Sequence, residues 1–217
     1  MRNIIDLDRD ETSTVFIAGM GRSGTTWVSN IVNYDQGYRD IFEPFLPAEV
    51  PEARAFGYHE YRRAGDKVPE KEEVARRILA GRVSCAWTDK FNPRRFAQRR
   101  IVKDIRCNLM LGWLRRLRPG MPMIFVLRHP LGIIRSWAKL GWGTSIGGGT
   151  DVDHIMAQQH LLEDFPKIEE LSRAIDRTNT FESTAFVWCV LHMVPLAQLD
   201  ESKALMVRYE DLLGDPA

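Results

Sequence analysis

The sequence predicts an α/β fold of three layers, in which helices cover both faces of a central, mostly parallel β-sheet. Short apolar segments typical of buried strands occur at 14–18, 101–105 and 123–127, and a stretch with helical spacing follows each of them. Strands that alternate with helices build parallel sheets covered on both faces. A chain of 217 residues suits one such domain, so 1–217 is predicted to form a single domain.

The first predicted strand leads through a glycine turn into a helix. Residues 14–18 are TVFIA, and a glycine follows them directly. From Thr25 to Tyr34, the side chains of Trp27, Val28 and Ile31 recur at helical spacing. Strand, turn and helix together predict one βα unit.

The later elements follow from similar patterns. The segment 69–81 has Pro69 in its first turn and Gly81 at its end, which favours a surface helix. The strand at 101–105 leads into a basic amphipathic helix that ends near Pro119. Further predicted elements are a helix after 123–127, a flexible glycine-rich loop over 141–151, helices near 151–164, 167–176 and 181–199, and a strand entering a turn over 204–212.

Composition and charge exclude several classes of protein. The net charge of +1 provides no overall field for binding nucleic acid or an anionic membrane. Three scattered cysteines lack metal-ligand and redox spacing, which favours reduced thiols, a cytoplasmic location and no metal site. The longest apolar stretch, 185–199, is too short to span a bilayer and predicts a buried helix.

The glycine turn after the first strand predicts an anion-binding site. Backbone N–H groups of such a turn, together with the start of the next helix, attract anions. The spacing from Gly19 to Gly24 matches the loop of nucleoside triphosphatases, but Thr25 stands where those proteins have lysine. This argues against hydrolysis of ATP or GTP, while Arg22 offers a planar cation for a tetrahedral anion. The alternative is a tight turn that binds no ligand.

The stretch GRSGTTW, 21–27, resembles the 5′-phosphosulfate-binding loop of sulfotransferases, which use 3′-phosphoadenosine 5′-phosphosulfate (PAPS). The resemblance implies a P-loop-like nucleotide-binding fold and PAPS as the sulfuryl donor. It also implies that Trp27 faces the adenine ring. The loop residues that the resemblance assigns to donor binding are Arg22, Ser23, Gly24, Thr25, Thr26 and Trp27.

A second motif, VLRHPLGIIRSW, resembles the segment with which this family binds the 3′-phosphate of PAPS. Arg128 ends a predicted strand, Pro130 follows closely, and Ser136 lies eight residues after the arginine. Taken alone, Arg128 is equally compatible with an ordinary ion pair at the end of a strand. If Arg128 and Ser136 lay far from the glycine loop, one nucleotide could not bridge them.

A third motif, VRYEDLLGDP, resembles a segment that often follows a late strand in sulfotransferases. The resemblance implies that Tyr209 contacts adenine. The alternative is a half-buried tyrosine that anchors the last strand. The chain could also continue beyond Ala217, which the sequence leaves open.

A base is needed to accept the proton of an acceptor hydroxyl. The segment DIFEPFLP, 40–47, resembles the carbohydrate-type branch of the family, which often uses glutamate, and implies that Glu43 is this base. Two flanking phenylalanines predict that desolvation raises the pKa of Glu43. The alternative is a loop carboxylate that pairs with a nearby arginine. His59 is the second candidate base, in a segment predicted to be a solvated loop.

Other cations have less specific assignments. Lys103 lies in an apolar strand and is expected to face the site and contact the transferring sulfuryl group, while Arg22 stabilises charge on the leaving phosphate. A pairing of Lys103 with Asp104 is disfavoured, because adjacent strand residues point to opposite faces. A basic cluster predicts either a solvated helix face or a patch for an anionic sugar; its members are Arg94, Arg95, Arg99 and Arg100.

The sequence thus predicts a sulfotransferase that moves the sulfuryl group of PAPS to a hydroxyl, or an amine, of a carbohydrate or small-molecule acceptor. Two alternatives stay open: a P-loop nucleotide kinase, and a non-catalytic nucleotide-binding protein of the same fold. The acceptor and the oligomeric state are not specified by the sequence.

Overall fold

The computed structural model describes residues 4–7, 13–141, 149–199 and 204–214. The strands among these residues are β1 (Ile5–Asp6), β2 (Thr14–Gly19), β3 (Tyr38–Phe42), β4 (Phe96–Ala97), β5 (Arg99–Asp104), β6 (Met123–Leu127) and β7 (Leu205–Arg208). The helices are α1 (Thr25–Val32), α2 (Pro69–Leu79), α3 (Leu111–Leu117), α4 (Pro130–Lys139), α5 (Gly149–Met156), α6 (Gln159–Asp164), α7 (Lys167–Arg173), α8 (Thr180–Gln198) and α9 (Tyr209–Gly214). Short 3-10 helices span Pro51–Ala55 and Asn108–Met110.

Within these ranges the main sheet has five parallel strands in the order β3-β5-β2-β6-β7. The strands β1 and β4 form a separate parallel pair. Side chains of β2 alternate between two cores: Phe16 packs in the cluster that includes Trp113, and Ile17 packs with Val28. The α/β class with a central parallel sheet is confirmed.

Strand β3 was not predicted, because its charged residues obscure an apolar strand pattern. Arg39 and Asp40 are both buried. The Nε atom of Arg39 donates to Oδ1 of Asp89 at 2.8 Å, and Ser29 donates to Asp40 at 3.1 Å. Ionisable side chains held by an ion pair or a hydrogen bond in this way can be buried in a sheet, which a search for apolar runs does not detect.

The basic cluster does not form a helix face. Arg99 and Arg100 begin β5, and Arg100 is buried, with its Nε donating to Thr14 Oγ1 at 3.1 Å. Thr14 begins β2, so these arginines lie at the opposite end of the parallel sheet from the glycine turn that follows Gly19. The solvated-helix interpretation is therefore wrong, and the cluster is remote from the predicted anion site.

The end of the predicted loop over 141–151 is helical. Residues 142–148 of this loop lie outside the described ranges. Helix α5 begins at Gly149, so the last three residues of the predicted loop are helical. A glycine-rich composition weakens a helix but does not prevent its first turn from forming.

Helix α8 lies in the protein interior and packs against α3, α4, α5 and α7. In the described part of the chain it alone is long and apolar enough to cross a membrane, and half of its most apolar window is buried inside the molecule. The helix begins at Thr180 and is longer than the apolar stretch that the sequence suggests. Core helices meet the same criterion of length and composition, so this is weak support for a membrane span.

Candidate active site

The glycine loop connects β2 to α1 at the carboxyl end of the sheet. Arg22 and Gly24 both adopt positive φ angles, 71° and 100°. At Gly24 a Cβ atom would lie 2.5 Å from Cδ2 of Tyr209, so a larger residue would be both strained and in steric conflict. The loop therefore turns tightly enough for α1 to begin at Thr25, with Gly24 as its N-cap.

The segment after β6 braces this loop. Arg128 Nη1 donates to the carbonyl oxygen of Arg22 at 2.8 Å, and Arg22 Nε donates to Ser136 Oγ at 3.0 Å. The indole N–H of Trp137 donates to the carbonyl oxygen of Gly21 at 3.2 Å. Because β2 and β6 are neighbouring parallel strands, their carboxyl ends place Arg128 and Ser136 beside the glycine loop. The structure therefore brings the first and second motifs together.

The third motif lies against the same loop. Tyr209 begins α9 directly after β7, and its ring centroid is 5.5 Å from that of Trp27, edge to face. The guanidinium carbon of Arg128 lies 4.1 Å from the centroid of the Tyr209 ring. Trp27 is 37% exposed, which leaves part of its ring open to a ligand. Two aromatic rings and an arginine thus form one corner of the site.

A small cavity of about 230 Å³, which we name the loop pocket, opens beside the glycine loop. Its lining includes Arg22, Thr25, Thr26, Glu43 and Lys103. The hydroxyl of Ser23 in the same loop is fully buried and lacks a hydrogen-bond partner in the part of the chain that the structure describes. An unpartnered buried donor, backbone amides and two cations are a suitable set of groups for holding an anion.

Glu43 follows β3 with a φ of 44° and is buried. One carboxylate oxygen accepts from Lys103 Nζ at 2.7 Å, and the other accepts from Arg106 Nη1 at 2.6 Å. Burial acts to raise the pKa of Glu43, but the charges and hydrogen bonds of Lys103 and Arg106 outweigh it, so the pKa is lowered. The prediction that desolvation raises the pKa of Glu43 is therefore wrong. The alternative, an ion pair between Glu43 and an arginine, is observed.

Asp104 orients the segments on either side of this ion-pair cluster. Its two carboxylate oxygens accept from the backbone N–H groups of Phe45, at 2.9 Å, and Arg106, at 2.7 Å. The neighbouring Lys103 instead points toward Glu43. Lys103 and Asp104 thus bond to different groups, and each supports the position of Glu43 in a different way.

His59 is buried and is not part of a solvated loop. Burial, helped by the charge of Arg106, lowers the pKa of His59 to about 4, so the ring is neutral at pH 7. Its Nδ1 atom has no hydrogen-bond partner among the residues that the structure places. A neutral imidazole with a free ring nitrogen can accept a proton or a hydrogen bond.

A second cavity of about 310 Å³, which we name the aromatic pocket, adjoins the loop pocket. The two share the lining residues Gly21, Phe42, Glu43 and Ile105. Residues found only in the aromatic pocket come from distant parts of the chain and include Met20, Tyr58, His59, Trp87, Asp151 and Leu191.

Sequence reasoning missed two ionisable residues of this pocket, Arg106 and Asp151. Arg106 follows β5 in a segment without a recognisable motif, and Asp151 falls in the predicted loop. Burial raises the pKa of Asp151 to about 7, which Arg106 only partly offsets. Only the structure shows that these residues face the same cavity as Glu43.

Comparisons with known proteins identify related sequences and structures. A family model described as the sulfotransferase family matches residues 14–217. The solved sulfotransferase domain from the curacin biosynthetic pathway is 16% identical, with 93% of this chain and 69% of that one covered and a TM-score of 0.45. The sulfotransferase domain from the Synechococcus PCC 7002 olefin synthase is 17% identical, with 100% and 70% covered and a TM-score of 0.46. A search of curated proteins finds no match. The family match includes every site residue described above.

Proposed function

The chain belongs to the sulfotransferase family, and we propose that it transfers the sulfuryl group of PAPS to a hydroxyl, or an amine, of a carbohydrate or small molecule. The observation that carries this proposal is the meeting of three motifs at one edge of the sheet. Arg22 contacts Ser136, Arg128 contacts Arg22, and Tyr209 packs on Arg128. A donor with anionic groups on both sides of its ribose requires such paired cationic sites.

In this proposal each group of the site holds a different part of the donor. The loop amides with Ser23, Thr25 and Thr26 hold the 5′-phosphosulfate. Arg128 and Ser136 hold the 3′-phosphate. The rings of Trp27 and Tyr209 hold adenine, since bases stack on exposed aromatic faces.

The chemistry requires stabilisation of negative charge and removal of one proton. When bound, the donor supplies a sulfuryl group whose bond to the 5′-phosphate oxygen breaks as the acceptor oxygen bonds to sulfur. Arg22 stabilises the charge that develops on the phosphate, and Lys103 lies where it can stabilise the sulfuryl oxygens. Both act by position and charge and do not form covalent bonds.

Glu43 is the base in this proposal. Its lowered pKa keeps it ionised at neutral pH. A carboxylate offers about four lone-pair directions, of which Lys103 and Arg106 occupy two. Glu43 lines both pockets, so a remaining lone pair can accept the acceptor's proton. His59 is the alternative base, since its neutral ring lines the aromatic pocket.

The proposal also places the protein in the cytoplasm. Its support is that Cys85, Cys107 and Cys189, all within the described ranges, are free thiols.

Transfer of radioactive sulfur tests the proposal directly. The protein is incubated with [³⁵S]PAPS and a panel of sugars, phenols and lipid alcohols, and the products are separated. We expect label to appear in at least one acceptor, with an equal amount of adenosine 3′,5′-bisphosphate (PAP) released. The proposal fails if the protein neither binds PAP nor releases it from PAPS with any acceptor.

A further inference from the structure

The aromatic pocket has the location that an acceptor site requires. It meets the loop pocket along a shared wall formed by Gly21, Phe42, Glu43 and Ile105. A group in the aromatic pocket can therefore reach both the proposed base and the edge of the anion site. The reaction needs such a neighbour, because acceptor oxygen, base and sulfur must come into contact.

The walls of this pocket present mostly carbon. The indole N–H of Trp137 is already bonded to the carbonyl oxygen of Gly21 at 3.2 Å. The indole N–H of Trp87 donates to the carbonyl oxygen of Glu43 at 3.3 Å. With those polar edges directed at the backbone, both rings offer hydrocarbon surface to an occupant. Further apolar wall comes from Met20, Phe42, Ile105 and Leu191.

Besides Glu43, the polar side chains in the described lining are Tyr58, His59, Arg106 and Asp151. Arg106 already pairs with Glu43, and its guanidinium carbon lies 5.4 Å from the ring centroid of Tyr58. His59 is neutral, and Asp151 makes no ion pair or side-chain hydrogen bond with another residue of the described ranges. Burial disfavours the charged form of both side chains. A sugar would bury several hydroxyls here, and each hydroxyl left without a hydrogen-bond partner would weaken its binding.

The size of the pocket adds a second restriction. Its volume of about 310 Å³ is at the lower end of the roughly 300–1,000 Å³ that is usual for small-molecule sites. Most of an occupant's surface must be enclosed for good binding in such a cavity. A compact ring system suits this volume better than an oligosaccharide or a long lipid.

We infer that the acceptor is a compact alcohol with a mostly carbon skeleton, such as a phenol or a cyclic alcohol, bound in the aromatic pocket with its hydroxyl at Glu43. This inference rests on the proposed function and narrows its acceptor class. A sugar is excluded as the preferred acceptor. The carbon skeleton lies against the rings of Phe42, Trp87 and Trp137.

Binding to the PAP-saturated protein tests this inference. PAP binding is first measured by calorimetry, and then 2-naphthol, cyclohexanemethanol and methyl β-galactoside are titrated separately into the complex. We expect both apolar alcohols to bind at least tenfold more tightly than the galactoside. Equal or tighter binding of the galactoside, or no binding of either alcohol, overturns the inference while the proposed function stands. Failure of PAP itself to bind overturns both.

A variant that fills the pocket locates the binding site. Leu191→Phe adds volume on the wall of the aromatic pocket, while Leu196→Phe makes the same change at a half-exposed position of α8. We expect Leu191→Phe to weaken 2-naphthol binding at least tenfold, and Leu196→Phe to leave it unchanged. PAP affinity should be unchanged in both. Unchanged 2-naphthol affinity in a Leu191→Phe protein that binds PAP contradicts the inference, and if that variant does not fold, the wild-type titrations decide.

Discussion

Glu43 and Asp151 are two carboxylates of one site, equally buried, with pKa values shifted in opposite directions. They are 6% and 4% exposed. Glu43 contacts Lys103 and Arg106, which lower its pKa. Asp151 forms no ion pair with a cation of the described ranges, and burial, which the charge of Arg106 only partly offsets, raises its pKa to about 7. The comparison shows that charged neighbours decide which acid is ionised at the centre of the site.

The same contrast separates the two pockets. The loop pocket is lined by Arg22, Lys103 and the hydroxyls of Thr25 and Thr26, whereas most of the exposed lining of the aromatic pocket is aromatic and aliphatic carbon. Glu43 lies on the wall between them. An anionic donor and an apolar acceptor would thus each occupy a compatible surface, and the proton acceptor would lie between them.

Removal of the Glu43 carboxylate should give the largest change. Glu43→Gln should reduce turnover roughly 10²–10⁴-fold, the usual contribution of a general base, with PAP affinity within about threefold of wild type. Turnover is measured by release of PAP and affinity by calorimetry. Glu49→Gln, at an exposed position, is the matched control. Retained turnover in Glu43→Gln would mean that another group is the base, and His59 would be the first candidate.

The apolar surroundings of Asp151 should make the free energy of unfolding depend on pH. A carboxyl group whose pKa is raised on folding destabilises the folded state above its ordinary pKa of about 3.9, and the effect is complete above pH 7. Asp151→Asn should therefore raise the free energy of unfolding by up to about 4 kcal/mol at pH 8, falling below about 2 kcal/mol at pH 5.

Urea denaturation at the two pH values measures this difference. Asp153→Asn, on the same helix but exposed, is the control and should change stability little at either pH. An equal effect of Asp151→Asn at pH 5 and pH 8 would show that Asp151 does not titrate in an apolar setting.

Arg128→Ala should weaken the binding of nucleotides that carry a 3′-phosphate much more than the binding of those that lack one. Loss of a charge-assisted hydrogen bond costs about 1.5–3 kcal/mol, so PAP should bind roughly 10–150-fold more weakly. Binding of 5′-AMP, which lacks a 3′-phosphate, should change less than about threefold. Calorimetric titration of both nucleotides measures this, with the exposed Arg135→Ala as control. Similar losses for the two nucleotides would mean that Arg128 supports the loop in general and does not read the 3′-phosphate.

The pH dependence of turnover should distinguish the two carboxylates as bases. With Glu43 as the base, kcat/KM should stay level from pH 8 to pH 5, because its lowered pKa keeps it ionised throughout this range. With Asp151 as the base, kcat/KM would fall as the pH drops below about 7. As the pH falls from about 6.5 to about 4, folding stability is lost as well, because the buried rings of His59 and His192, with pKa values lowered from 6.5 to about 4, resist the protonation that the unfolded chain accepts.

The loop pocket could be predicted from the sequence because it is built from short contiguous motifs. Strand β6 was predicted at its observed bounds, and the turn from Gly19 to Thr25 follows from glycine spacing. Parallel neighbouring strands then bring Arg128 to the loop. These inferences need only local patterns and the direction of the strands.

The aromatic pocket could not be predicted in this way. Its lining comes from segments as distant as Met20 and Leu191, and no local pattern indicates that they meet. The burial of His59 and the effect of Arg106 on the pKa of Glu43 are likewise results of packing. Strand β3 was missed because its buried charges are paired with residues elsewhere in the chain.

The central claim is that the loop pocket holds a nucleotide with one 5′-phosphosulfate, not a triphosphate. The most direct test compares how strongly PAP and ATP stabilise the protein. The melting temperature is measured with each nucleotide, with Mg²⁺ present for ATP, at equal concentrations. At about a hundred times its dissociation constant, PAP should add about 2.7 kcal/mol of stability, and ATP-Mg should add clearly less. Equal or greater stabilisation by ATP-Mg would contradict the account, because a triphosphate would then be the ligand that this loop holds.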